Sequence, residues 1–225
     1  PNVTFSATRF ELNAPHVLIA EITDPNTHSA LTTTGEAKLD GILGLGFSGF
    51  TPSHGDSWTL INAGTVDQDF ASVLAPTLPL GQTVVVSQTP GGNGTLVNAT
   101  VSDTLVLSVN LSTGATSIDN LSTATSHDID GYTITSSTNS LDTVGRMSFH
   151  DDSQVGWEEA NAASNHLSEL NLNGSRVVGT SSSIDLGTAV VTPTQFGVQP
   201  QLDFEYHLAG SPGETRSGVV TFENI

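Results

Sequence analysis

Cysteine is absent from the 225-residue chain, lysine occurs once, at Lys38, and arginine four times, at Arg9, Arg146, Arg176 and Arg216. Without thiols there is no disulfide framework, thiolate nucleophile or zinc–sulfur site. Five basic residues cannot neutralise a run of phosphates, so binding to a nucleic-acid backbone is excluded. The same sign argument excludes an anionic membrane surface. No apolar run approaches ~18 residues, and no membrane insertion is expected. Charged residues make up 12% of the chain, about half the usual globular share, and aromatics only 6%.

What remains is acidic and rich in hydroxyls. The chain carries 23 acidic residues, a formal net charge of −18, 30 threonines and 26 serines. Its polarity comes from hydroxyls and amides rather than ion pairs. A lysine-poor, acidic surface suits salty media, where self-repulsion is screened. Pro1 is not a translation start, so a segment removed upstream is expected. These features point to an exported bacterial protein, extracellular or on the cell surface. Six Asn-X-Ser/Thr sequons occur, at Asn2, Asn93, Asn98, Asn110, Asn120 and Asn173; in a chain so rich in Ser and Thr, chance explains them as readily as glycosylation does.

Strand patterns dominate. Val3–Ala7 alternates with period 2, and Thr83–Val86 is a β-branched run of the kind buried on both faces. Leu105–Val109 and Val219–Phe222 read as strands with at least one buried face. Turn signals at Asp24-Pro25-Asn26, Thr51-Pro52, Pro90–Gly94, Asn173-Gly174 and Ser211-Pro212-Gly213 separate them. One stretch differs: Trp157, Ala160, Ala163, Leu167 and Leu170 recur at helical spacing, which predicts a short helix or an ordered loop. A division near Ser102-Asp103 separates a Gly-rich β domain, 1–103, from a second domain, 104–225. The fold class is all-β. The first domain is expected to be a β-sandwich or solenoid-cap-like, and the second a β-sandwich with Leu107, Ile134, Phe204 and Phe222 in its core. No repeat of fixed period is visible, which argues against a long regular solenoid.

The run Gly35-Glu36-Ala37-Lys38-Leu39-Asp40-Gly41-Ile42-Leu43 is followed by Phe50-Thr51-Pro52, Gly55–Ile61, Ala63–Val66 and Phe70. In this it resembles the closing segment of passenger-type β-rich regions in large exported bacterial proteins, including those sorted by a PEP-CTERM signal. Ile129–Ser136, Leu167–Leu172 and Leu202-x-Phe204-x-Tyr206 are similar to a C-terminal β-sandwich module of such proteins. The resemblance rests on turn glycines and core apolar residues. It implies a β-rich fold and an exterior location, and carries no catalytic residue across. The chain departs from the pattern at Met147, where a tryptophan is expected.

No constellation points to catalysis. Gly44–Gly49 matches G-x-G-x-x-G formally, but Thr51-Pro52 continues a loop where a cofactor site needs a helix. No G-x-S-x-G elbow occurs. The seven histidines are scattered, with no pair at ligand spacing. Glu158 and Glu159 are adjacent, unlike carboxylates that face each other across a sugar. Calcium is the one metal with suitable oxygen donors at loop spacing: Asp128 and Asp130 are the candidate ligands, with Asp67/Asp69 and Asp151/Asp152 as similar pairs. Solvated turn aspartates are the alternative. Trp58, Trp157, Tyr132 and Tyr206 could form a glycan platform or fill the core. Two functional classes follow: a self-assembling structural subunit of a filament, sheath or matrix, or a glycan-binding module of a larger exported protein. Self-association through the strand Val3–Ala7 is the expected partner contact, with pairing inside the chain as its alternative.

Overall fold

A computed structural model describes residues 4–24, 27–91, 94–152, 154–160, 162–195, 199–211 and 214–223. The backbone forms two compact units, Pro1–Ser102 and Asp103–Ile225. The fold is all-β: no helix occurs among the described residues, and hence none long and apolar enough to cross a membrane.

The first unit holds β1 (Thr4–Ala7), β2 (Phe10–Asp24), β3 (Thr27–His28), β4 (Ala30–Phe47), β5 (Ser57–Asp67), β6 (Ser72–Leu74), β7 (Gln82–Gly91) and β8 (Gly94–Asp103). Its core is a stack of parallel rungs. Thr4 faces Ala30 and Ile22 faces Phe47, so partners on the first two rungs stand 26 and 25 residues apart. Leu31 then faces Ile61, and Ile42 faces Ser72, each 30 residues on. A straight strand of the length of β2 would carry the chain about 50 Å away. The five residues 25–29 can span at most ~18 Å on the way back to the side of Thr4. Each rung must therefore coil back on itself.

Two corners break each coil. At the first, Gly35 lies under Thr8 and Gly64 under Thr34; a Cβ on either would stand 2.3 or 2.5 Å from the carbonyl oxygen above it. Only glycine lets the rungs approach so closely there. The β4–β5 register slips at the same place, between Thr33 and Glu36. At the second corner β2 slips against β4 between Asn13 and Val17.

Between corners, alternation sends one set of side chains inward. Leu12 stacks on Leu39, Leu18 on Leu43 and Ala20 on Leu45. Leu39, Leu43, Ile61 and Ala37 are fully or almost fully buried. Trp58 closes this core against Phe47 and Phe50, with ring centroids 5.3 and 6.2 Å away. Outside, the sole lysine is placed by register: Lys38 stands between Glu11 on one rung and Asp67 on the next, the cross-strand pairing of opposite charge that favours alignment. On the last rung β5 is covered from Ser57 to Ala63 by antiparallel β8, with β7 beyond it at the sheet edge.

The second unit holds β9 (Val106–Asn110), β10 (Thr116–Asn120), β11 (His127–Ser136), β12 (Trp157–Glu159), β13 (His166–Asn171), β14 (Arg176–Val178), β15 (Ser182–Asp185), β16 (Leu202–Leu208), β17 (Thr215–Ser217) and β18 (Val219–Glu223). One sheet runs β15-β10-β9-β18, the other β12-β13-β11-β16-β17 with β14 added to β11. They meet across one core: Leu107, Val109 and Ile118 from the first face Ile134, Leu167, Phe204 and Tyr206 from the second, with Phe222 packed at its margin.

Two expectations need correction. Trp157–Leu170 is not a helix but the strands β12 and β13. Leu167, Glu169 and Asn171 point inward with period 2, while Ala160 and Ala163 are exposed. The helical stripe came from two strands that each send one large apolar residue into the core. Thr83–Val86 is not buried on both faces, because β7 is an edge strand whose residues there are half-buried. Of Val3–Ala7, Val3 lies outside the described residues, and Thr4–Ala7 pair in parallel with Ala30–Thr33 of their own chain.

Candidate functional site

The acidic pairs considered for calcium do not come together. Asp128 and Asp130 lie within strand β11 rather than a loop, Asp128 exposed and Asp130 half-buried at a bulge between Ile129 and Gly131. Asp69 accepts a hydrogen bond from Gln88 Nε2 at 2.6 Å, and Asp152 pairs with Arg176 at 3.3 Å. Among the described residues no group of three or more His, Asp or Glu side chains could hold a metal ion. The four aromatics considered for a sugar platform are core residues, Trp58, Trp157, Tyr132 and Tyr206 all being at most 3% exposed. The Gly44–Gly49 segment is the end of β4 and a bend, with no helix after it. Of the sequons, Asn120 is buried and its Nδ2 donates to the carbonyls of Thr125, Val178 and Gly179. That nitrogen is closed to a glycan in the folded chain.

The structure does assemble a charged cluster that no motif announced. Arg146 is 4% exposed and reaches Glu159 at 2.5 Å and Glu169 at 3.4 Å. The Glu169 side chain has no exposure. Its Oε1 also accepts the Tyr132 hydroxyl, and its Oε2 the backbone N–H of His150 at 3.2 Å. Burial holds the Glu169 carboxyl above the usual carboxylate range, against the downward pull of Tyr132, His150 and Arg146. Burial, reinforced by the Glu169 charge, pushes the Tyr132 hydroxyl well above its usual value. Beside the cluster Phe149 stacks edge-on against Trp157 at 4.7 Å, and Arg176 lies 4.4 Å over the Phe149 ring. Both Glu169 oxygens are occupied and neither meets solvent. The cluster ties the loop bearing Arg146 and His150 to β11, β12 and β13.

A second ionisable group shapes a nearby turn. Asp142 Oδ1 accepts the N–H groups of Val144 at 2.8 Å and Gly145 at 3.1 Å, which lowers its pKa. A carboxylate whose folded pKa is lowered adds stability above its unfolded pKa and loses it as pH falls towards the folded one. Asp142→Asn keeps an acceptor oxygen but no charge. Its thermal midpoint should lie below that of the parent at neutral pH, and the gap should close on acidification below the usual carboxylate range. A pH series of melting curves measures this.

One open concave feature of the second unit is a groove of about 660 Å³ along β16. Asp203 and Glu205 project from the same side of that strand, opposite Thr135 and Thr133 of β11; Glu205 also stands opposite Ser217 of β17. Gln199 and Gln201 close one end, and Val220 and Phe222, both half-buried, form the apolar wall. Among the described residues no lysine, arginine or histidine lines it. The chain matches no protein-family model, no curated protein and no solved structure.

Proposed function

We propose that this chain is a non-enzymatic structural protein of the bacterial exterior, a subunit that self-associates head to tail into a filament, sheath or matrix. The observation that carries this reading is the unequal treatment of the two ends of the rung stack. On the last rung β5 is covered from Ser57 to Ala63 by antiparallel β8, with β7 beyond it, while β6 pairs only with β4 among the described residues. On the first rung, β1 pairs only with β4, and the second edge of β2 is met only by β3 at Ile22–Asp24. From Thr4 to about Ala20, one edge therefore carries unpaired backbone groups among the described residues.

A long open edge is a template for another strand. Beside it Val17 and Ile19 are 49% and 71% exposed, an apolar pair next to the open edge. The far end of the sheet, β7, is also an edge. Pairing the first-rung edge of one copy with β7 of the next uses two different surfaces, so contacts repeat without closing. A net charge of −18 opposes the contact until salt screens it, the Debye length being about 10 Å at 0.1 M.

Glutamate at either edge adds a like charge against an acidic neighbour. Ile19→Glu and Val85→Glu, each at an edge strand, should separately reduce sedimenting assemblies to monomers. Mixed together they should form dimers, because each supplies the surface the other lacks. Monomers in the mixture, or assemblies in either variant alone, would refute the head-to-tail contact.

A further inference from the structure

We infer that the groove along β16 binds a neutral oligosaccharide. The inference stands apart from the assembly reading, since it uses only residues of the second unit. The groove's volume of about 660 Å³ falls in the range that holds a small ligand. Its chemistry narrows the class. Asp203 and Glu205 are exposed, and neither makes an ion pair or side-chain hydrogen bond among the described residues. Carboxylates held at alternate positions of one strand offer several acceptor sites in a row, suited to the paired O–H donors of a vicinal diol.

The hydroxyls of Thr135 and Ser217 both donate and accept, the Thr133 hydroxyl is shared with Ser168 at 3.0 Å, and the Gln199 and Gln201 amides add donors. Among the described residues no group of three or more His, Asp or Glu side chains gathers there to hold a metal ion. An anionic polysaccharide is repelled, because among the described residues no basic side chain lines the groove and the chain carries −18. The half-buried wall of Val220 and Phe222 gives the C–H face of a sugar ring an apolar surface. Donors, acceptors and an apolar wall in one uncationic groove describe a neutral sugar chain.

Titration calorimetry of the full chain against cellohexaose, xylohexaose and mannohexaose tests this, with hexagalacturonate, spermine and calcium chloride as comparison ligands. At least one neutral hexasaccharide should bind. Asp203→Ala and Glu205→Ala, both at exposed positions, should each weaken it about tenfold or more, since each removes hydrogen bonds to a charged acceptor. Their melting temperatures should match the parent. The inference fails if no neutral hexasaccharide binds, if binding ignores both substitutions, or if only spermine or calcium binds, which would make the groove a cation site.

Discussion

Arg146→Met should destabilise the second unit by about 3–5 kcal/mol at neutral pH, the cost of leaving one member of a buried ion pair without its partner. Arg146 lies 3.4 Å from Glu169, whose side chain has no contact with solvent. Removing the guanidinium deletes one of the influences that lower the Glu169 pKa, so burial raises it further. A folded carboxyl with a raised pKa binds more protons than its unfolded counterpart between the two pKa values. Stability across that window therefore rises as pH falls. The deficit of Arg146→Met should accordingly shrink on acidification, and adding Glu169→Gln should recover much of it at neutral pH. Urea unfolding at a series of pH values reads both effects. A deficit independent of pH would mean that the loss comes from packing of the arginine stem alone.

Trp58→Ala should cost the first unit about 3–5 kcal/mol, as expected for an indole removed from a closed core. Trp58 is 1% exposed, sits on β5 and fills the space beside Phe47 and Phe50. Few residues share its load in a chain with two tryptophans. A urea midpoint followed by circular dichroism measures the loss. A change under about 1 kcal/mol would place Trp58 outside the core, as a surface residue would be.

The all-β class was legible because alternation is local: Leu39, Leu43 and Leu45 reveal a buried face without knowledge of any partner. The coiling of the rungs was not. Its spacing changes from 25 to 30 residues between successive rungs, so no fixed period marks it, although Gly35, Gly41 and Gly64 stand at or beside the close approaches. Trp157–Leu170 misled for a related reason: apolar residues from two short strands fell at helical spacing by coincidence. The buried cluster was hidden because Glu169 reads as a surface acid until Leu167 and Asn171 are seen to share its face. Once β13 is taken as a strand, period 2 places Glu169 inside, and a buried carboxylate calls for a cation, which so few basic residues could supply. The groove is assembled from β11, β16, β17, β18 and a loop, and no local pattern links them.

Electron microscopy of the purified chain, at low salt and with added salt and calcium, tests the central claim most directly. The account predicts ordered polymers once charge is screened, and their loss in both Ile19→Glu and Val85→Glu. Monodisperse single particles under every condition would contradict it.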